Sequence, residues 1–294
     1  MDEREWLAER FEEQRAHLRA VAYRMLGSGA EADDAVQEAW LRLSRSGANG
    51  LENLGAWLTT VVSRVCLDML RSRKAKREES LGPHKREPVT KSASRPDPEQ
   101  EALMADAVGL ALLVVLDRLT PAERLVFVLH DMFAVSFDDI APMVGRSPAA
   151  ARQLASRARC RVRGTAMRPV GDLSRQRELV TAFLTAVRAG DFEGLVAVLD
   201  PDVVIRIDTA AAVPGAPRAI RGARNWAKGA LSFSQAARCA QPVLIDGAVG
   251  LIWAPGGRLL RVLQFTFKRG KIAEVQIVAD ATRLHEFNLA VLDH

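Results

Sequence analysis

The chain has 294 residues, of which 48% are hydrophobic, and a formal net charge of +5 at pH 7. This length is enough for two or three domains. A basic excess this small does not identify a partner, so the positions of the charges along the chain are more informative. The three cysteines are isolated along the chain, which argues against a disulfide framework and against a zinc site. The chain begins with acidic residues and has no apolar run long enough to span a bilayer. We therefore expect a cytoplasmic protein with no signal peptide, no membrane contact and no cofactor.

Residues 1–77 are predicted to be helical. After a break at residues 27–29, a helix buries apolar side chains from Ala35 to Leu43 and carries acidic and amide groups on its other side. The next helix has a wide apolar face from Trp57 to Met69 and ends in the basic run RSRKAKR. Four prolines among polar residues then indicate a linker at 78–104, and helices resume near Glu101.

A helix-turn-helix is predicted after this linker. The stretch Thr120–Glu123 (TPAE) has the sequence of a capping box and starts a helix. A short helix from Phe137 to Val144 is followed by Gly145, which suits a turn that needs a positive φ, and then by the N-cap Ser147. The second helix alternates small apolar residues with arginines, and this layout is typical of a helix that lies in the major groove of DNA.

The pattern changes to an α+β domain after Gly164. A helix is predicted from Leu173 to Ala189, a second over residues 192–199 and another over residues 226–233. Strands are predicted at 203–207, 238–245, 248–253, 259–267 and 272–278, with turns at Asp246-Gly247 and Arg269-Gly270. We expect these strands to form a curled antiparallel sheet.

Three stretches together resemble a known family. They are GSGAEADDAVQEAWLRL (residues 27–43), GAWLTTVVSRVCLDMLRSRKAKR (residues 55–77) and LTPAERLVFVLHDMFAVSFDDIAPMVGRSPAAARQLASRARCRV (residues 119–162). In them the chain resembles bacterial RNA polymerase sigma factors of the extracytoplasmic-function type, and its C-terminal part resembles the SnoaL-like, NTF2-like cone fold. The resemblance implies two all-α sigma domains, the second with the helix-turn-helix, followed by an α+β cone domain. The implied boundaries are sigma region 2 at 1–77, a linker at 78–104, sigma region 4 at 105–166 and the SnoaL-like domain at 172–294.

The resemblance also implies partners and the residues that meet them. The partners are core RNA polymerase, through its β′ coiled coil and its β flap, and promoter DNA. The residues implied for polymerase binding are Asp33, Asp34, Gln37, Glu38, Trp40 and Leu41. Those implied for the −10 element are Asn53, Arg64, Asp68, Arg71, Arg73 and Lys74. Those implied for the −35 element are Arg146, Ser147, Ala149, Arg152, Gln153, Ser156, Arg157 and Arg159. Arginines suit phosphates and guanine, and a glutamine can pair with adenine.

The resemblance further implies that the C-terminal domain modulates the sigma domains in cis. We expect this domain to hold a small-molecule ligand rather than to act as an enzyme. Its candidate pocket residues are Arg206, Asp208, Trp226, Arg261 and Gln264. Two alternatives remain open at this level. One is a helix-turn-helix repressor that needs no polymerase, and the other is an NTF2-like isomerase or hydrolase fused to DNA-binding helices.

Overall fold

The computed structural model describes residues 3–46, 53–80, 109–212 and 217–292. These residues form two compact units, one within residues 1–108 and Leu116–Arg159 and the other within Gly109–Val115 and Cys160–His294. Most of the predicted linker, and the helical residues expected next to Glu101, lie outside the described residues. The four domain boundaries inferred from the sequence therefore stay predictions.

The first unit is helical, as predicted. Three long helices, α1 (Glu3–Leu26), α2 (Gly29–Ser46) and α3 (Leu54–Ser80), pack on one another. Helix α4 (Leu110–Leu116) follows, with all but its last residue belonging to the other unit. The first unit continues through α5 (Pro121–Phe127), a π-helical turn (Val128–Met132), α6 (Phe137–Val144) and the part of α7 (Pro148–Arg163) that ends at Arg159. The core of the three long helices includes Leu18, Met25, Leu43 and Leu58, all with no exposed surface. The apolar spacing seen in the sequence therefore marks the buried faces.

The second unit contains a seven-stranded sheet with helices packed on it. Its helices are α8 (Leu173–Ala189), α9 (Phe192–Val198), α10 (Ala223–Ala230) and α11 (Ala281–Glu286). Its strands are β1 (Leu199–Ile207), β2 (Ala219–Arg221), β3 (Ala240–Ile245), β4 (Ala248–Trp253), β5 (Arg261–Lys268), β6 (Lys271–Val278) and β7 (Leu289–Ala290). The strand order is β2-β1-β6-β5-β4-β3-β7. We call this part of the chain the sheet domain; it confirms the expected α+β class.

The expectation of a purely antiparallel sheet is wrong at one pair of strands, because β1 and β6 run parallel. The pairs β3–β4, β4–β5 and β5–β6 are antiparallel, and short connections join them in sequence. No hairpin turn joins β1 to β6, so nothing local fixes their relative direction. The predicted turns are confirmed: Asp246 and Gly247 have φ values of 51° and 89°, and Arg269 and Gly270 have 49° and 73°, as a type I′ hairpin requires.

The core of the sheet domain lies between the sheet and helices α8 and α10. Phe183 of α8 stacks on Trp226 of α10 with ring centroids 5.5 Å apart, and Phe265 of β5 packs edge-on against Phe183 at 5.3 Å. Across the described ranges, no helix combines the length and the apolar character that crossing a bilayer requires.

Candidate polymerase and promoter interfaces

Helix α2 presents an acidic face to solvent. Ala32, Ala35 and Ala39 are fully buried on its inner side, so the residues between them point outward. Of the residues predicted to bind polymerase, Asp33, Asp34, Gln37 and Leu41 are exposed, whereas Glu38 and Trp40 are half-buried. The structure therefore brings these six residues together on the outer side of one helix.

Two members of this face also serve the fold of the unit. Asp33 accepts a hydrogen bond of 2.6 Å from Arg19 of α1, and Trp40 packs on Phe11 of α1 with ring centroids 5.1 Å apart. Asp34, Gln37 and Leu41 are free of such contacts among the described residues, and Leu41 keeps 39% of its surface exposed. These three side chains are therefore the best placed on α2 to meet a partner.

The residues predicted for the −10 element differ in their surroundings. Arg64, Asp68 and Arg71 follow each other at helical spacing along α3 and are all exposed, and Arg71 pairs with Asp68 at 3.7 Å. Asn53 caps the start of α3, because its side chain accepts a hydrogen bond from the N–H of Ala56 at 3.0 Å.

Arg73 is held inside the first unit. Its guanidinium pairs with Glu31 of α2 and donates a hydrogen bond of 3.2 Å to the carbonyl oxygen of Leu26, the last residue of α1. Arg73 therefore caps the C-terminal end of α1.

Lys74, the last residue of the predicted −10 set, is exposed.

The helix-turn-helix has the geometry that the sequence predicts. Ser136 caps α6, and Gly145 ends it with φ 65° in the left-handed region. The hydroxyl of Ser147 accepts a hydrogen bond of 3.2 Å from the N–H of Ala150, so it caps α7, which begins at Pro148. Pro142 is the sixth residue of α6, which begins at Phe137. The expectation that it lies among the first residues, which have no intrahelical donor bond to lose, is therefore wrong, and the carbonyl oxygen of Asp138 has no N–H four residues later to accept.

The arginines of α7 and its turn differ in their surroundings. Ala151, Ala155 and Ala158 are fully buried on the inner face. On the outer side, Ala149, Gln153, Ser156 and Arg157 are exposed, as are Arg146 and Ser147 before them. Neither Arg146 nor Arg157 forms an ion pair with another residue that the structure describes.

The other two arginines of the predicted −35 set have partners inside the first unit. Arg159 donates to Asp131 at 3.0 Å, and the guanidinium of Arg152 lies 5.5 Å from the ring centroid of Phe137. His130 stacks on that same ring with centroids 3.8 Å apart. Sequence reasoning missed Asp131, His130 and Phe137, because only the π-helical turn and the fold of α6 bring them to α7.

Arg124 is a buried cation that the sequence did not reveal. It is 3% exposed and donates from Nε and Nη2 to the carbonyl oxygen of Arg24, at 3.3 Å each. Burial lowers the pKa of its guanidinium to about 10, although the negative charge of Asp117 acts in the opposite direction and raises it. Because Arg24 lies in the last turn of α1, Arg124 ties α5 to the C-terminal end of α1. Its acceptor lies a hundred residues earlier in the chain, so no local signal could have found it.

The candidate pocket residues of the sheet domain lie in different places. Trp226 and Arg261 are in the wall of an apolar cavity. Arg206 is exposed and pairs with Glu274 at 2.7 Å, while Asp208 and Gln264 lie outside the cavity wall.

Asp208 fastens a turn to the sheet. Its carboxylate accepts backbone N–H groups of Ala211, Ala279 and Asp280 at distances of 2.7–3.0 Å. Burial opposes ionisation of this carboxyl, but the N–H groups of Asp280, Ala279 and Ala211 and the charge of Arg283 outweigh it and lower its pKa. A carboxylate stabilised in this way is a weak base, which does not suit proton abstraction.

Asp208→Ala is expected to reduce the free energy of unfolding by about 1–3 kcal/mol at pH 7, because three N–H groups lose their acceptor. The pKa of Asp208 is lower in the folded state, so this stabilisation is complete above the unfolded pKa of about 3.9 and disappears as the pH falls through the folded value. Urea denaturation followed by circular dichroism at several pH values measures the effect. Asp202→Ala, at an exposed position of β1, the strand that ends just before Asp208, is the control and should change little; equal losses in both variants would contradict this role.

Comparison with known proteins places these features in a family. The family model for Sigma-70 region 2 matches residues 11–76, and that for Sigma-70, region 4 matches residues 109–161. Over 283 residues the chain is 39% identical to the ECF RNA polymerase sigma factor SigJ of Mycobacterium tuberculosis (strain H37Rv), which covers 92% of this chain and 90% of the relative. It is 33% identical over 273 residues to the Probable ECF RNA polymerase sigma factor SigI of the same organism, with 92% of each chain covered. The crystal structure of the M. tuberculosis SigJ aligns at 36% identity over 94% of this chain and 98% of the other, with a TM-score of 0.45.

These matches confirm the sigma-factor function predicted from the sequence, and they do not favour a repressor or a fused enzyme. The two curated relatives cover the sheet domain as well as the helical regions. The chain belongs to the family of extracytoplasmic-function RNA polymerase sigma factors.

Proposed function

We propose that the acidic face of α2 binds the coiled coil of the polymerase β′ subunit and that the helices of region 4 contact the β flap. Exposed carboxylates beside an exposed leucine suit a basic partner that also offers apolar contacts. Asp34, Gln37 and Leu41 are exposed members of this face whose side chains have no hydrogen bond, ion pair or ring contact with another described residue, and they support the assignment.

We propose further that α7 reads the −35 element and that α3 contacts the −10 element. The observation that carries this assignment is the division of α7 into a buried alanine face and an outer side with Gln153, Arg157 and, before the helix, Arg146. A helix of this kind can approach bases closely with its outer side while its cations meet phosphates. On α3, the exposed Arg64 and Arg71 are the residues best placed for phosphates.

The sheet domain is proposed to modulate the sigma domains in cis. The end of α7 and the segment after it belong to the second unit, from Cys160 onward. Within that unit, the carbonyl oxygen of Val162 accepts the N–H of Val291 at 2.8 Å, and Val170 donates to the carbonyl oxygen of Gly247 at 2.9 Å. The last turn of α7 is therefore hydrogen-bonded to the residue that follows β7, and the segment after α7 is hydrogen-bonded to the β3–β4 turn. The sheet domain thus contacts the end of α7 directly.

Gly164→Ala tests this coupling. Gly164 has φ 64°, and a Cβ there would lie 2.6 Å from the Cβ of Ala290, so the packing between the end of α7 and β7 must shift. Gly190→Ala is the matched control, because Gly190 has φ 71° but an added Cβ meets nothing within 4 Å. We expect Gly164→Ala alone to change run-off transcription with core polymerase by about fivefold or more. Equal activity of both variants and the parent chain, with both variants folded, would contradict modulation in cis.

We infer that the sheet domain works by binding rather than by catalysis and that it holds a small-molecule ligand. Asp208 is engaged with backbone N–H groups, and the one tyrosine of the chain, Tyr23, lies in α1, so neither supplies the sheet domain with an acid or base. A factor that acts on RNA polymerase is expected to work in the cytoplasm, where transcription takes place.

A further inference from the structure

The sheet domain contains a partly open apolar cavity of about 260 Å³ beside helices α8 and α10. Its wall is made of aliphatic and aromatic side chains, including Phe183, Trp226 and Phe233. Among the described residues of this wall, Arg261 is the one that carries a charge. The volume is slightly below the roughly 300–1,000 Å³ typical of ligand pockets, so it suits a small molecule with one aromatic ring or a medium-length alkyl chain.

Trp253, one of the residues of this wall, carries an unused hydrogen-bond donor. Its indole Nε1 is buried and has no hydrogen-bond partner in the described part of the chain. Buried indole N–H groups normally have a partner, because an unpaired buried donor destabilises the fold. A water molecule is a poor candidate here, since a stable buried water needs several polar partners and this wall is almost entirely apolar.

Arg261 lies over the ring that carries that donor. Trp253 of β4 and Arg261 of β5 face each other as a cross-strand pair, and the guanidinium carbon is 5.2 Å from the centroid of the Trp253 ring. Arg261 forms no ion pair with another residue that the structure describes. A cation that stacks on tryptophan beside an unpaired N–H offers a charge and several donors at one edge of an apolar cavity, and guanidinium and carboxylate groups match in geometry.

We propose that this cavity binds a small apolar carboxylic acid, with its hydrocarbon or aromatic body among the aromatic side chains and its carboxylate on Trp253 Nε1–H and Arg261. This assignment names the chemical class of the ligand proposed for the sheet domain and rests on that proposal. The polymerase and promoter roles are measured without any acid present, so its failure would leave them intact.

Isothermal titration of the full-length chain with 3-phenylpropionate and octanoate tests the assignment. We expect dissociation constants in the range of about 10–500 μM for at least one acid. The neutral amide of the same acid should bind about tenfold or more weakly, because it lacks the charge that Arg261 complements. No heat of binding for either acid up to about 5 mM, or equal affinity for acid and amide, would overturn the assignment.

Two substitutions locate the site. Trp253→Phe keeps an aromatic ring and removes the N–H, and Arg261→Gln removes the charge; each is expected to weaken binding of the acid by about fivefold or more. Arg258→Gln, at an exposed position outside the cavity wall, should leave binding unchanged. Circular dichroism verifies that each variant is folded. If Trp253→Phe fails to fold, Arg261→Gln against Arg258→Gln still decides the matter, and equal binding by those two would overturn the assignment.

Discussion

The double substitution Asp34→Lys with Glu38→Lys is expected to weaken binding to core RNA polymerase by about 100-fold or more, which corresponds to about 2.7 kcal/mol. Both positions lie on the outer side of α2, where Asp34 is exposed and Glu38 keeps 40% of its side chain exposed. Like charges brought together at an interface are strongly unfavourable, so lysines here should repel a basic coiled coil. Asp33 is left unchanged because its ion pair with Arg19 supports the packing of α1 on α2.

Fluorescence anisotropy with labelled chain and purified core polymerase measures this affinity. Glu178→Lys with Glu286→Lys is the matched control, because it makes the same change in net charge at two exposed positions of the sheet domain. The control should bind within about twofold of the parent chain, since neither glutamate belongs to the face of α2 that is proposed to bind the polymerase. A similar loss in both double variants, or no loss in the α2 variant, would contradict the assignment of α2.

Arg146→Ala with Arg157→Ala is expected to lower the affinity of the polymerase–sigma complex for double-stranded DNA by about 10–100-fold. Both side chains are exposed on the outer side of the helix-turn-helix, and neither is neutralised by an ion pair with a described residue. Each phosphate contact that is lost should also reduce the slope of log affinity against log salt by about one. Arg159→Ala should cost less, because Asp131 already neutralises part of its charge at 3.0 Å.

Titrations of a random-sequence duplex at several salt concentrations give both the affinity and the slope. Arg218→Ala with Arg258→Ala removes the same charge from exposed positions of the sheet domain and should leave the slope unchanged. An unchanged slope with lower affinity on selected sequences would assign these arginines to base edges instead of phosphates. Unchanged affinity on every sequence would remove them from the DNA interface.

Much of the fold was predictable because local chemistry determines it. The capping box at Thr120 forms, with Glu123 Oε2 accepting the Thr120 N–H at 3.0 Å, and Gly145 adopts the positive φ that the turn needs. Helix α8 has the predicted bounds, Leu173–Ala189, because Asp172 caps its start and Gly190 ends it. Strand β4 is likewise as predicted, since a tight turn at Asp246-Gly247 fixes its start.

The features that sequence reasoning missed depend on distant parts of the chain or are too short to show a period. Strands β2 and β7 have three and two residues, so they leave no pattern, and the parallel pairing of β1 with β6 has no local signal. Among the site residues, the pairing of Arg73 with Glu31 and the burial of Arg124 depend on how three helices meet. Residue spacing identified which faces carry charge, but it did not show which arginines the fold itself uses.

Run-off transcription with purified core RNA polymerase tests the sigma function most directly. The template is a pool of linear DNA randomised over the region upstream of a fixed transcribed sequence, and the transcripts are sequenced together with their templates. We predict transcripts with discrete start sites that depend on adding this chain and that select sequence at two separated upstream elements. Transcription no different from that of core polymerase alone, with a chain that is folded and complete, would contradict the function.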